Sequence, residues 1–359
     1  MEEIFEAKKN KKNDQADPLI SREELLKFIS QDVAYFCASD LDRIVFDPIC
    51  NFTSSNSNLF RSRLVELSIS MCSDKSLVFT KQFQKEISRK LSKFLEVLHA
   101  GSLIIDDIQD GSPTRRGKPS LHSDIGVPLA INSGSWLYFW ALSLIPKMEL
   151  NPRVELEMTR LCHQALLNGH LGQALDLGVC IDQINQNQAK ELSIAAMKLK
   201  TGKLMSLASE LSAVACGVHF EVRLALKNFG LDFGFALQSF NDLKEFSKKS
   251  QTINQDLILG RPSWIWVCAS EYFTPTEYSE FTQTISKLRT ADQPAQLELM
   301  SQFKNHALIS YAQLQAKNLM IQSYQKLSDH LLKFDYELNQ RSDWKELQLL
   351  GQKVMETYD

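Results

Sequence analysis

The chain of 359 residues has no close pair of cysteines: its seven, at positions 37, 50, 72, 162, 180, 216 and 268, are scattered singly. That distribution gives no C-x-x-C zinc site and predicts reduced thiols in a cytoplasmic protein. Positive charge is not in excess either. Lys and Arg number 40 against 43 Asp and Glu, for a formal net charge of −3, which argues against a nucleic-acid partner because no basic excess exists to neutralise a phosphate backbone. Residues 1–18 lack the apolar core of a signal peptide, and a polar, fraying tail is expected over 1–20. No stretch sustains alternation at period two, so no sheet is expected. No Pro, Gly or Ser cluster is long enough to be an interdomain linker, and residues 21–359 are expected to form one domain.

What is present is helical periodicity. Hydrophobic residues make up 44% of the chain, enough for a sizeable core. Residues 21–30 open with a capping box, Ser21 with Glu24 three positions on. Apolar residues recur at three- and four-residue steps over 60–71, 76–105 and 154–177. Residues 191–216 read as one continuous helix ending at Gly217, followed by helices over 221–246, 262–273, 275–288, 296–332 and 342–358. Residues 125–146 carry no formal charge and are long enough to span a bilayer. Pro128, Asn132, Ser133, Gly134 and Ser135 crowd the first half of that segment, however, and the chain's mean hydropathy is negative. A buried core helix, and no transmembrane segment, is therefore expected. The fold class that follows is all-α, a single large helical bundle with a central cavity.

Chemistry concentrates in residues 98–122, LHAGSLIIDDIQDGSPTRRGKPSLH. If the apolar run is helical, Asp106 and Asp110 share one face four residues apart, while Asp107 points about a quarter-turn away. Like charges so placed repel, and they call for solvent or a cation. One or two carboxylates with open positions for water and phosphate oxygens suit Mg²⁺. Arg115 and Arg116 follow a Gly-Ser-Pro-Thr turn, and guanidinium groups match phosphate oxygens in pairs, so the stretch reads as a diphosphate clamp. The alternative is an acidic helix end and a basic loop, both solvated. Three further islands carry the same choice between ligand and helix-surface polarity. They are Gln173 with Asp176, the Lys200-Thr201 interruption of an apolar helix, and Gln238, Asn241, Asp242 and Glu245 along one helix side.

Taken in order, these islands resemble the trans-isoprenyl diphosphate synthase, or polyprenyl synthetase, family, from about residue 60 to residue 263. The resemblance implies an isoprenoid-synthase-type all-α bundle, a homodimer, Mg²⁺ as cofactor, and an allylic diphosphate and isopentenyl diphosphate as substrates. It implies Mg²⁺ ligation by Asp106 and Asp110 in a first aspartate-rich motif and by Asn241, Asp242 and Glu245 in a second. Arg115 is implied on the allylic diphosphate; Arg116 and His99 on isopentenyl diphosphate; Lys200, Thr201 and Gln238 on the allylic side; Arg63 and Arg261 as further substrate-binding residues. Small residues before the first motif, here Gly101 and Ser102, imply a product of C20 or longer. The family's GKRxRP segment stands here as LFRSRL, residues 59–64, with Phe60 in place of a lysine and Leu64 in place of the proline. Asn241 replaces an aspartate, and the lysine expected after the second motif falls near Gln251, with Lys248, Lys249 and Arg261 close by. Ser135 stands where an aspartate is common. These departures leave two other readings open: a terpene cyclase-like lyase on the same fold, and a non-catalytic regulatory homologue.

Overall fold

A computed structural model describes residues 19–21, 23, 39–54, 60–72, 80–244, 246, 255–291, 296, 307–334, 338 and 341–357. The helix read over 21–30, the tail over 1–18, Glu245 and Gln251 lie outside the described residues, apart from Ser21 and Glu23. The chain divides into two compact units, the first of residues 1–66 and 78–159, the second of 67–77 and 160–359.

In the first unit a π-turn, Asp42–Phe46, leads into α1, Asp47–Ser54, and α2 begins at Phe60 within Phe60–Cys72. The long α3, Lys81–Gln109, starts where the Thr80 hydroxyl accepts the Phe83 amide at 3.1 Å, a side-chain cap that satisfies a donor the helix leaves open. It buries Ile87, Leu91, Phe94, Leu98, Gly101 and Ile104, the helical stripe read from the sequence. A two-residue antiparallel ribbon follows, β1 (Thr114–Arg115) against β2 (Lys118–Pro119), then α4, Leu121–Ile125, and α5, Val127–Ser143. The ribbon corrects the expectation of no sheet; strands of two residues are too short to show alternation.

Helix α5 is the segment read as a buried core helix, and only one side of it is buried. Ala130, Gly134, Leu137, Trp140 and Ala141 face inward, whereas Phe139 is 72% exposed and Ile131 45%. The inner side meets α3 at two glycines. A Cβ on Gly101 would stand 2.9 Å from the Gly134 carbonyl oxygen, and one on Gly134 2.9 Å from the Ile105 side chain, so the helices come closer than alanine would allow. Among the described residues no helix is long and apolar enough to cross a membrane.

The second unit holds most of α6 (Pro152–Gly178), then α7 (Gln186–Met197), α8 (Lys203–Ala215), α9 (Phe220–Lys244), α10 (Gln255–Leu259), α11 (Trp264–Tyr272), α12 (Pro275–Thr290), α13 (Ala307–Leu332) and α14 (Ser342–Thr357). The helix read over 191–216 keeps helical backbone throughout and carries a π-helical turn, Lys198–Gly202, between α7 and α8. An inserted residue of this kind redirects side chains that a regular helix would keep on one face. Beyond it every residue of 205–215 is buried, and α9 lies close enough that a Cβ on Gly230 would meet the Met205 carbonyl oxygen at 2.6 Å. Helix α8 ends as read: Gly217 adopts φ +59°, and Val218 returns its amide to the Ala213 carbonyl at 3.4 Å.

Candidate active site

In the first unit α3 and the ribbon bring His99, Arg115 and Arg116 around one cavity of about 200 Å³, lined also by Lys118, by Glu96 and Asp124, and by the apolar Leu19, Pro48, Phe52 and Leu103, while Asp106 and Asp110 are not among its lining residues. The three aspartates take different environments. Asp106 and Asp110 are partly exposed, one turn apart, with the Asp110 amide bonded to the Asp106 carbonyl at 2.9 Å. Asp107 is buried, its carboxylate 1% exposed. The Arg115 Nε donates to Asp107 Oδ1 at 2.7 Å and Oδ2 at 2.9 Å, and its Nη2 closes on Oδ1 as well. Burial raises the Asp107 carboxyl above the ordinary range, and Arg115 opposes that shift.

The ribbon explains how Arg115 and Arg116 come to this spot. Pairing of Arg115 with Lys118 leaves Arg116 and Gly117 as a two-residue turn, with φ +53° and +75°. Two positive values are those of a type I′ turn, whose twist suits a tight hairpin. Gly117 adopts its value freely, whereas Arg116 is a non-glycine residue in the left-handed region, a position held against about 1 kcal/mol of local preference.

His99 is partly buried on the same helix. Loss of hydration first, then the positive charges of Arg61, Arg116 and Arg115, hold its imidazole well below the usual 6.5. It is therefore neutral near pH 7, able to donate a hydrogen bond without adding charge. Tyr138 on α5 has its phenol pushed up to about 12, by burial and then by the charge of Asp106.

The arginines of α2 divide in a way the sequence did not foretell. Arg63, expected at the substrate, pairs with Glu66 on its own helix at 2.5 Å. Arg61 reaches α3 instead, where its Nη2 donates to Glu96 Oε2 at 3.0 Å with the two side chains 11% and 5% exposed. Sequence reasoning missed both Arg61 and Glu96. The available signal was Glu96 itself, a carboxylate inside the apolar run FLEVLHAGSLII, which burial forces to find a partner. The small Gly101, which the resemblance ties to a long product, has its space taken up by the contact with Gly134.

The second unit assembles its own set. The Lys200 Nζ, on the π-turn, donates to Asp176 Oδ2 on α6 at 2.8 Å. The Thr201 hydroxyl donates to Gln238 Oε1 at 2.7 Å, Gln238 Nε2 donates to Asp242 Oδ1 at 2.7 Å, and the Trp264 amide at the start of α11 donates to Asp242 Oδ2 at 2.7 Å. The three islands read separately in the sequence thus meet in two polar chains. Withdrawal from water pushes the Asp242 carboxyl up to about 8, against the pull of its two donors. Asn241 is partly buried beside it. Arg261, 14% exposed, lies 3.8 Å from Asp256, and its amide donates to the Asp256 carbonyl at 2.8 Å.

The donor chemistry fits a hard divalent cation at Asp106 and Asp110: two oxygen ligands on one helix face, open to solvent. Among the described residues no group of three or more His, Cys, Asp or Glu could hold a metal by itself, so water and substrate oxygens would complete the shell.

A family model described as polyprenyl synthetase matches residues 42–302. A geranylgeranyl pyrophosphate synthase of Macrophomina phaseolina is 31% identical over 183 residues, 51% of this chain and 54% of its own length. The chain spans about half the length of the curated relatives it matches. Among solved structures, the geranylgeranyl pyrophosphate synthetase of Pyrococcus horikoshii superposes with a TM-score of 0.72 at 20% identity, covering 93% of this chain and 96% of that one. A polyprenyl synthase of Caulobacter crescentus complexed with calcium and isoprenyl diphosphate gives 0.69 at 18% identity, covering 91% and 97%. These structural likenesses show the isoprenoid-synthase helical-bundle fold expected from the sequence.

Proposed function

The chain belongs to the polyprenyl synthetase family, and from that premise we propose that it is a Mg²⁺-dependent prenyltransferase that joins an allylic diphosphate to isopentenyl diphosphate, releasing diphosphate and forming a linear trans-isoprenyl diphosphate of C20 or longer. The observation that carries this reading is the gathering of His99, Arg115 and Arg116 around a cavity with a basic rim and an apolar wall, with Asp106 and Asp110 at the C-terminal end of the same α3.

In this reading the chain's own side chains orient and neutralise. The Arg115 and Arg116 guanidinium groups hold diphosphate oxygens in pairs, and neutral His99 supplies a hydrogen bond. Arg61 provides the positive charge that Phe60 does not, from one side chain behind the cavity wall at Glu96. Lys200, Thr201 and Gln238 serve the allylic substrate, Asp106 and Asp110 supply metal ligands from the first aspartate-rich motif, and Asn241, Asp242 and Glu245 supply them from the second. Mg²⁺, when bound there, neutralises charge on the departing diphosphate. Holding the two reactants in register turns a bimolecular encounter into an effectively unimolecular step, and apolar walls keep water from the allylic cation. Several relatives are named geranylgeranyl pyrophosphate synthases, which supports a C20 product.

We place the protein in the cytoplasm as a homodimer with residues 21–359 forming one domain. The six described cysteines are all free thiols, and Leu156, Leu167 and Leu171 form an exposed apolar stripe on α6 that a second copy would cover. Incubation of the purified chain with Mg²⁺, isopentenyl diphosphate and C5, C10 or C15 primers, followed by mass analysis, should show chain-extended diphosphates. No elongation with any primer refutes the proposal. Release of hydrocarbon or alcohol without isopentenyl diphosphate would identify a lyase, and diphosphate binding without turnover a non-catalytic homologue.

A further inference from the structure

Arg115 faces two carboxylates of this motif, Asp106 with Oδ2 at 3.7 Å from its Nη2 and Asp107 in direct hydrogen bonds, and Asp107 is the one held inside. Its carboxylate is 1% exposed, against 21% for Asp106. Both of its oxygens accept from Arg115 Nε, at 2.7 and 2.9 Å, and one also accepts from Nη2. Its main chain grips the same loop, because the Ser112 amide donates to the Asp107 carbonyl at 2.9 Å. A single residue of α3 thus anchors the loop by its main chain at Ser112 and by its side chain at Arg115. A guanidinium is planar and carries five donors in a fixed fork. With the Nε–Nη2 edge against Asp107, the Nη1 edge points the opposite way, and Arg115 lines the cavity.

We infer that Asp107 is a positioning residue for Arg115: it fixes the plane of the guanidinium so that a substrate diphosphate meets the opposite edge already oriented. The inference rests on the proposed prenyltransferase reading and gives Asp107, which the resemblance leaves outside the Mg²⁺ ligands, a role of its own. The Asp107–Arg115 pair forms a rigid unit whose geometry, rather than its net charge, determines diphosphate affinity. Charge alone would be preserved by Lys at 115, but the fork would be lost.

Calorimetric binding of inorganic pyrophosphate in the presence of Mg²⁺, together with steady-state kinetics, tests this on the full chain. Asp107→Asn is expected to weaken pyrophosphate binding by about tenfold, the scale of one buried charge-assisted hydrogen bond, and to raise the allylic KM while leaving the Mg²⁺ concentration for half-maximal activity unchanged. Asp106→Asn should instead raise that concentration. Arg115→Lys should match Asp107→Asn in pyrophosphate affinity although it keeps the charge, and the double variant should bind no more weakly than Arg115→Lys alone. Should Asp107→Asn fail to fold, Arg115→Lys reads the same geometry. A shifted Mg²⁺ requirement in Asp107→Asn, multiplying losses in the double variant, or wild-type affinity in Arg115→Lys overturns the inference while leaving the prenyltransferase reading intact. A wild-type chain that binds no pyrophosphate and elongates no primer removes that reading and the inference together.

Discussion

Breaking the Arg61–Glu96 pair separates two roles that one contact can play. The charged atoms lie 3.0 Å apart with both side chains nearly buried, so their Coulomb attraction is about 5 to 6 kcal/mol at an effective dielectric of about 20. Desolvation offsets much of this, and the measurable consequence comes from removing one partner. A buried charge left without its counterion costs about 3 to 5 kcal/mol, whereas replacing both with apolar residues of similar size is close to neutral. Arg61 already carries a buried Nε with no hydrogen-bond partner, which adds to the cost of keeping it once Glu96 is gone. Glu96→Leu and Arg61→Met should each lower the urea midpoint strongly, and the double variant should recover most of the loss. Far-UV circular dichroism and tryptophan fluorescence must report the same midpoints for these differences to be read as free energies. Stability and binding should then part company. The recovered double variant is expected to show an isopentenyl diphosphate KM raised by about tenfold or more, since one cation beside His99 is missing. Additive destabilisation in the double variant would refute the coupling, and a stable double variant with wild-type KM would refute any binding role for Arg61.

Gly101→Ala should destabilise the chain by about 1 to 3 kcal/mol through overpacking, because its Cβ would stand 2.9 Å from the Gly134 carbonyl oxygen and 3.1 Å from the Leu137 Cβ; an unchanged urea midpoint would show that α3 and α5 can part at no cost. His99 has a folded-state pKa below 6.5, so as pH falls through 6.5 the unfolded chain takes up its proton first, and stability contributed by the neutral ring declines toward the folded pKa. His99→Gln should flatten the fall in stability on the acid side of pH 6.5, and an unaltered slope would rule the residue out as its source. Exchanging Leu167 and Leu171 together for Glu should convert a dimer to a monomer by sedimentation while the circular dichroism stays that of wild type; a dimer that persists places the interface elsewhere.

How much of the site is legible in the sequence follows from the distance along the chain over which each feature is determined. Asp106, Asp110, Arg115 and Arg116 lie within a few residues of one another, so helical periodicity and one turn bring them near one another, and spacing alone is enough to propose a clamp. The Arg115–Lys118 ribbon that aims them is just as local, yet its strands are too short for period two to register. Arg61 and Arg63 are two residues apart and so differ by about 200° around α2. Which of them reaches α3 depends on the partner Glu96, 35 positions away, and spacing cannot choose. The Lys200-Thr201 pair is visible as polarity in an apolar helix, but the π-turn that points Lys200 at Asp176 and Thr201 at Gln238 is a local geometric choice, set by packing on α6 and α9. Asp107 is the sharpest case. Helical spacing already sets it about a quarter-turn from Asp106 and Asp110, but its partner Arg115 is visible only in the burial of its side chain and the contacts of its two oxygens. Equal charge at adjacent positions thus meets two environments because a helix turns by about 100° per residue, which leaves one carboxylate partly exposed and the next inside, where it is kept with an arginine.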